Sequence, residues 1–120
     1  MSNFLIHIHT GPENPTKAAL GMLVALNAAK SGHKTTLFIA GDGVHLLDAT
    51  KAAETTGTGT GNVAEHLAGL KEAGAQFFLS GMSAKARGYD ESLLEGYHAA
   101  FAMPDKLVAL ADAADTVLCY

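Results

Sequence analysis

The sequence predicts an α/β fold, a three-layer doubly wound sandwich with a mostly parallel sheet of about five strands. Short apolar runs alternate with segments of helical periodicity, and this alternation is typical of a parallel sheet covered by helices on both faces. The first run, Phe4–His9, has almost no polar face, as expected for a parallel strand buried on both sides. With 120 residues, 48% apolar and 17% charged, the chain is expected to form a single domain over residues 1–120.

Five segments are candidates for the strands. They are Phe4–His9, Thr35–Ala40, Gln76–Leu79, Tyr97–Phe101 and Thr116–Tyr120. Right-handed crossovers and this number of strands favour the flavodoxin-like order 2-1-3-4-5. Ligands of such folds bind beyond the carboxyl ends of the strands, here at a switch point between strands one and three. We therefore expect a crevice between His9-Thr10-Gly11 and Leu79-Ser80-Gly81.

The helices are expected to begin at capping residues or prolines and to end at glycines. The expected starts are Asn14-Pro15, Asp42, Asn62 and Pro104, and the expected stops include Gly32, Gly74 and Gly88. Asp42 caps a short helix that continues through Ala52, and Ser83–Arg87 forms one helical turn. The glycine-rich segment Thr55–Gly61 lacks the phosphate-loop pattern and does not directly follow a strand, so we interpret it as a flexible connector.

Charge and hydropathy exclude several classes of protein. The net charge of −4 without a basic cluster argues against a nucleic-acid partner, and no apolar run is long enough to span a membrane. Met1-Ser2-Asn3 has no basic segment, so no signal peptide is expected. The single cysteine, Cys119, excludes an intramolecular disulfide and a thiolate zinc cluster, and its strand position predicts a buried apolar role. A cytoplasmic location follows as the default expectation.

Several short motifs, in order along nearly the whole chain, carry a family resemblance. The motifs are Thr10-Gly11-Pro12, Gly32-His33-Lys34, Phe38–Val44, Ala73-Gly74-Ala75 and Ser80–Gly88, which ends in Arg87-Gly88. Together they resemble the DsrE/DsrF-like proteins of sulfur relay and intracellular sulfur oxidation. The resemblance implies homotrimers or homohexamers, with heteromers in some members, and so a possible sulfur-relay homologue as partner.

The resemblance also defines a candidate ligand-binding crevice. Its residues are Thr10, Gly11, Asp42, Gly43, Ser80, Gly81, Ser83 and Arg87. In the family a cysteine that carries persulfide sulfur stands at the position of Ser80, and a second polar or thiol position corresponds to Ser83. A serine hydroxyl does not replace a thiolate in this chemistry. The sequence therefore predicts a non-catalytic binding or assembly protein, and Ser80 is interpreted as a helix cap.

Two other functions stay open. The chain could be an accessory subunit beside a thiol-bearing homologue, or an enzyme in which His9 or His45 acts as acid or base near Ser80. Glu13 and Asp42 are the acids expected nearby, but Ser80 does not lie in a nucleophile-elbow motif. Arg87, the only arginine, is interpreted with Lys85 as a solvated turn residue, although it could contact an anion.

Neither a metal nor another cofactor is expected. His7 and His9 lie on one face of the first strand and could bind a metal ion if a third ligand came from elsewhere. No such ligand is identifiable in the sequence, so the pair is interpreted as hydrogen-bonded or interfacial.

Self-association is expected from the first helix. Ala19, Met22, Leu23 and Leu26 form one apolar stripe, whereas Leu20 and Val24 lie off it. A helix that is apolar on nearly all sides needs a second cover, and another copy of the chain is its expected source. A trimer is the first expectation.

Overall fold

A computed structural model describes all residues of the chain, Met1–Tyr120. The main sheet consists of β1 (Asn3–Ile8), β2 (Lys34–Ile39), β5 (Gln76–Ser80), β6 (Ala99–Ala102) and β7 (Thr116–Cys119). The helices are α1 (Pro15–Lys30), α2 (Ala49–Glu54), α3 (Val63–Glu72), α4 (Gly81–Ala86) and α5 (Pro104–Ala113). Short 3₁₀ helices cover Gly41–Leu47 and Glu91–Leu94, and a small ribbon is formed by β3 (Thr56–Gly57) and β4 (Gly61–Asn62). The predicted α/β class with about five parallel strands is confirmed.

The order of the strands differs from the expected one. All neighbours in the main sheet are parallel, and the order is β6-β5-β2-β1-β7. The last strand therefore pairs with β1, and β2 separates β1 from β5. The predicted order 2-1-3-4-5 is wrong, and so is the switch point that it placed between the first and third main strands. From β1 the chain adds β2, β5 and β6 in turn on one side, and it then adds β7 on the other side of β1. The switch point of the sheet therefore lies between β1 and β7.

The core lies on the face of the sheet that α1 and α3 cover. Ile6, Leu37 and Phe77 share one buried cluster with residues of these two helices. Phe78 points to the opposite face, because side chains alternate along a strand. The Lys106 Nζ of α5 lies 5.0 Å from the centre of the Phe78 ring, which places α5 on that opposite face. No residue of α5 is buried, so this second layer is thin.

Local signals located most helix ends correctly. Asn14 accepts a hydrogen bond from the Lys17 N–H, Asn62 accepts one from the Glu65 N–H, and Gly32 has a φ of +87°. The expected cap at Asp42 is wrong. Ala40 precedes the 3₁₀ helix without a side-chain cap, and Asp48 caps α2 instead.

The glycine-rich segment is more ordered than a flexible connector. The ribbon formed by β3 and β4 lies against the start of α1, where the Thr58 N–H donates to Thr16 Oγ1 at 3.0 Å. The Thr60 hydroxyl donates to the Thr16 carbonyl oxygen at 3.1 Å. These bonds attach the ribbon to α1. No helix in the structure combines the length and the apolar character needed to cross a membrane.

Candidate functional site

The loops after β1 and β2 approach each other closely at the carboxyl end of the sheet. Gly11 faces the backbone of Asp42, and a side chain at Gly11 would collide with the Asp42 carbonyl group. A side chain at Gly43 would come within 2.9 Å of the Ile8 carbonyl oxygen. The Gly11 N–H donates to Glu13 Oε1 at 2.9 Å, so this backbone group finds its hydrogen-bond partner within the turn. Glycine at these two positions therefore permits the packing of the crevice.

Ser80 and Ser83 are both occupied by backbone hydrogen bonds. Ser80 is the N-cap of α4, and its Oγ accepts from the Ser83 N–H at 3.1 Å. The Ser83 Oγ accepts from the Gly41 N–H at 2.9 Å, which ties α4 to the loop after β2. Neither hydroxyl hydrogen bonds to a histidine, so the arrangement is that of a helix cap and a loop tie rather than of an activated nucleophile.

Arg87 closes the crevice from the end of α4. Its Nε donates to Asp42 Oδ1 at 3.0 Å, and its Nη1 donates to the Ser83 carbonyl oxygen at 3.1 Å. The solvated role expected for Arg87 is therefore replaced by an ion pair within the chain. The two side chains are 28% and 52% exposed, so solvent still screens this pair.

His45 is brought to the same crevice by the 3₁₀ helix. Its Nδ1 lies 2.7 Å from the Tyr89 hydroxyl oxygen, and its Nε2 lies 4.0 Å from Asp42 Oδ1. The Lys51 Nζ lies 5.7 Å from the centre of the Tyr89 ring, and a hydrogen bond with Tyr89 is the main cause that raises the pKa of Lys51. Asp42, His45 and Tyr89 thus form a polar row in which His45 hydrogen bonds to Tyr89 but lies too far from Asp42 for a hydrogen bond.

Tyr89 is the residue of this site that sequence reasoning missed. It lines two cavities, one of about 410 Å³ beside Leu47 and Tyr97 and one of about 280 Å³ beside Gly81 and Phe101. A single tyrosine does not form a recognisable sequence motif. The only indication in the sequence was its position directly after Arg87-Gly88.

His9 does not meet Ser80. The predicted proximity of these residues depended on adjacent first and third main strands, and β2 lies between them. His9 is exposed, and its ring lies 5.2 Å from that of His7, centre to centre. Of the two histidines proposed as acid or base, only His45 lies among the other crevice residues.

Cys119 is exposed, so its predicted role as a buried apolar residue is wrong. It lies on β7 opposite His7 of β1 in the register of the parallel pair. The terminal strand forms one edge of the sheet, where side chains on the thinly covered face stay open to solvent. A thiol and two imidazoles thus share one surface at the switch point of the fold.

The comparisons with known proteins agree with the motifs and the fold. The model of the DsrE/DsrF-like family matches residues 2–120. The chain belongs to the DsrE/DsrF-like family. The crystal structure of the ychN protein from E. coli superposes with a TM-score of 0.73 over 100% of both chains at 18% sequence identity, which shows a common fold. No curated protein matches the sequence.

Membership relates this DsrE/DsrF-like chain to the sulfur-relay proteins and gives its crevice a family context. Within the crevice, Ser80 is the capping residue of α4, and Arg87 contacts Asp42 and Ser83.

Proposed function

We propose that this DsrE/DsrF-like chain is a small cytoplasmic, homo-oligomeric binding or assembly protein with no sulfur-accepting chemistry at the end of β5. The observation that carries the proposal is the hydrogen bonding and burial of Ser80. Its hydroxyl oxygen accepts the hydrogen bond that starts α4, and the residue is only 8% exposed. Ser80 thus serves the local fold at the position to which the resemblance assigns the family's nucleophile.

Chemistry supports the same conclusion. Accepting a sulfane sulfur requires a thiolate, whose nucleophilicity at neutral pH a serine hydroxyl lacks. A serine becomes nucleophilic only beside a base, and neither Ser80 nor Ser83 hydrogen bonds to an imidazole or a carboxylate. Two further crevice groups, Asp42 and Arg87, form an ion pair with each other. Recognition of a ligand or partner is what this surface supports.

Sulfur uptake tests the proposal directly. The protein is incubated with a low-molecular-weight persulfide, alkylated, digested and analysed by mass spectrometry of the peptides. Because Cys119 is exposed, Cys119→Ser is the background in which the crevice is assayed. We expect no sulfur adduct in Cys119→Ser. The double variant Cys119→Ser with Ser80→Cys should form an adduct, because the introduced thiol lies at the N-terminus of α4, which lowers its pKa. An adduct on the peptide that contains Ser80 in Cys119→Ser would overturn the proposal.

Self-association is the second part of the proposal, and the structure modifies its basis. Val24 packs against the core within the chain, so of the two α1 residues considered only Leu20 is exposed, at 37%. Larger apolar exposure occurs on α4, directly after β6 and on α5, at Met82, Met103 and Val108, the last of which is 68% exposed. We call these three residues, which lie before and after β6 along the chain, the β6 surface. It is the better candidate for the contact between copies.

Light scattering tests this part, because a monomer has a mass of 12.4 kDa. We expect the mass of a trimer or hexamer at micromolar concentration. Val108→Glu and Leu20→Glu place the same charge on the two candidate surfaces, and dissociation by Val108→Glu alone assigns the contact to the β6 surface. A wild-type monomer would refute self-association. Masses that change when a thiol-bearing homologue is added would favour the accessory-subunit role.

The row formed by Asp42, His45 and Tyr89 favours a second candidate, acid–base catalysis at the cavities that Tyr89 lines. The 2.7 Å contact between His45 and Tyr89 is the observation behind it. A screen of small hydrolysable and isomerisable substrates with wild type and Tyr89→Phe tests it. An activity lost in Tyr89→Phe would establish the enzyme, whereas activity that is equal in both would be assigned to contamination.

A further inference from the structure

The larger of the two cavities that Tyr89 lines lies outside the crevice around Ser80. It has a volume of about 410 Å³, which falls within the usual range of small-molecule sites. Part of its wall is apolar, because it is lined by Leu47 and Leu93, which are only 4% and 8% exposed. An apolar cavity with a few polar groups is the usual form of a ligand site. Binding here does not depend on the function proposed for Ser80.

Two tyrosine rings in the wall of this cavity are held in place by other aromatic rings. The Tyr89 ring makes an edge contact with His45, with 5.4 Å between the ring centres, and its hydroxyl oxygen lies 2.7 Å from His45 Nδ1. The Tyr97 ring makes a similar contact with Phe77, also at 5.4 Å. Aromatic side chains that are already fixed bind a planar ring at a small cost in entropy. The wall therefore favours an aromatic ligand.

Two opposite charges line the same cavity without forming a salt bridge. Lys71 lies in the last turn of α3, and Glu95 follows the second 3₁₀ helix. All salt bridges of the chain involve other residues. The Lys71 Nζ lies 4.9 Å from the centre of the Tyr97 ring and would lie 3.5 Å from a Cβ atom at Gly96, the neighbour of Glu95. The Lys71 ammonium group therefore lies beside the backbone that carries Glu95, and both charges are free to bind a ligand.

We propose that this cavity binds a free aromatic amino acid. The carboxylate of the ligand binds the Lys71 ammonium group, and the ammonium group of the ligand binds the Glu95 carboxylate. Its ring packs against Tyr89 and Tyr97. The remaining charged residue of the lining, Asp48, already caps α2 through a hydrogen bond from a backbone N–H. A zwitterion fits this lining better than a simple anion or cation does, because the lining presents one free charge of each sign.

Fluorescence titration with L-tryptophan tests the site, because the chain itself contains no tryptophan. The emission of the ligand should change as it enters the cavity and should saturate at one molecule per chain. Tryptophanamide lacks the carboxylate and N-acetyltryptophan lacks the ammonium charge, so each should bind at least about tenfold more weakly than L-tryptophan. No saturable binding of L-tryptophan at millimolar concentration, or equal binding of the three compounds, would overturn the proposal.

Variants that each remove one charge assign the two contacts. Lys71→Gln should weaken the binding of L-tryptophan at least about tenfold and leave that of tryptophanamide unchanged, because tryptophanamide has no carboxylate. Glu95→Gln should likewise weaken L-tryptophan and leave N-acetyltryptophan unchanged. Lys106→Gln is the matched control, because Lys106 lies over the Phe78 ring on the opposite face of the sheet, and it should bind as the wild type does. Lys71→Gln and Glu95→Gln proteins that bind L-tryptophan like the wild type, or that lose affinity for all three compounds alike, would overturn the proposal.

Discussion

Ser80→Ala removes a single oxygen atom from the point on which the proposed function depends. In the wild type that oxygen accepts the Ser83 N–H at 3.1 Å in a partly buried position. Loss of an N-cap of this kind costs about 0.5–2 kcal/mol, and typically ~1 kcal/mol. Because α4 has only 6 residues, few other hydrogen bonds hold its first turn. We therefore expect Ser80→Ala to lower the free energy of unfolding by about 1 kcal/mol.

Urea unfolding at a fixed protein concentration measures this loss, because self-association would otherwise shift the apparent stability. With a denaturant dependence of about 2 kcal/mol/M, the midpoint should fall by roughly 0.5 M while the slope stays constant. Asn14→Ala is the matched control. Asn14 caps α1 through an exposed hydrogen bond of 3.2 Å to the Lys17 N–H, and its loss should be of the same size or smaller.

The outcome distinguishes a Ser80 that only caps α4 from a Ser80 whose hydroxyl takes part in binding or catalysis. A structural cap requires that Ser80→Ala loses stability and keeps the mass and the ligand binding of the wild type. If the unfolding midpoint is unchanged and binding or an activity is lost instead, the hydroxyl is free for chemistry. That result would refute both the cap and the non-catalytic function built on it.

Three further predictions concern the core, the crevice and the pH dependence. Leu67→Ala, at a position only 1% exposed in the main core, should lower the free energy of unfolding by about 2–5 kcal/mol in urea, and a loss below about 1 kcal/mol would contradict the packing. Arg87→Gln should cost less than about 1 kcal/mol because its pair with Asp42 is partly exposed, and the difference from wild type should shrink in concentrated salt. Folding lowers the pKa of His7 from 6.5, so below about pH 6.5 the unfolded chain binds more protons than the folded chain does. The contribution of His7 to the free energy of unfolding should therefore be complete above that pH and should fall as the pH decreases. Urea midpoints between pH 7.5 and 5 should show this fall, and His7→Gln should reduce it.

Local signals predicted the elements of this fold well. Apolar runs located the strands, and Asn14-Pro15, Asn62 and Pro104 located three helix starts, because caps and fixed proline dihedrals act within a few residues. The order of the strands is a different kind of property. Whether the last strand adds beside β1 or at the other edge depends on which face α5 crosses, and α5 has no buried residue to signal that choice. The order is therefore decided by tertiary packing.

The same limit explains which site residues were misplaced. His9 was expected near Ser80 only through the wrong strand order, whereas Asp42, Ser83 and Arg87 lie together because hydrogen bonds join the loop after β2 to α4. Cys119 lies in an apolar run that resembles a buried strand. Its exposure results from the edge position of β7 beneath a thin helical layer. Burial at an edge cannot be deduced from the apolar character of the strand alone.

The strand order also separates the crevice from the one thiol of the chain. At the end of β5 the crevice has Arg87 held by Asp42 and Ser83, and the Ser80 hydroxyl caps α4. The one thiol of the chain lies at the carboxyl end of β7, beyond β2 and β1 from Ser80. A cap requires only an oxygen acceptor, whereas uptake of sulfane sulfur requires a thiolate, so the two requirements are met at different positions. Any sulfur adduct of the wild-type chain is therefore expected on Cys119 at the edge of the sheet, and the crevice at β5 is expected to act by recognition.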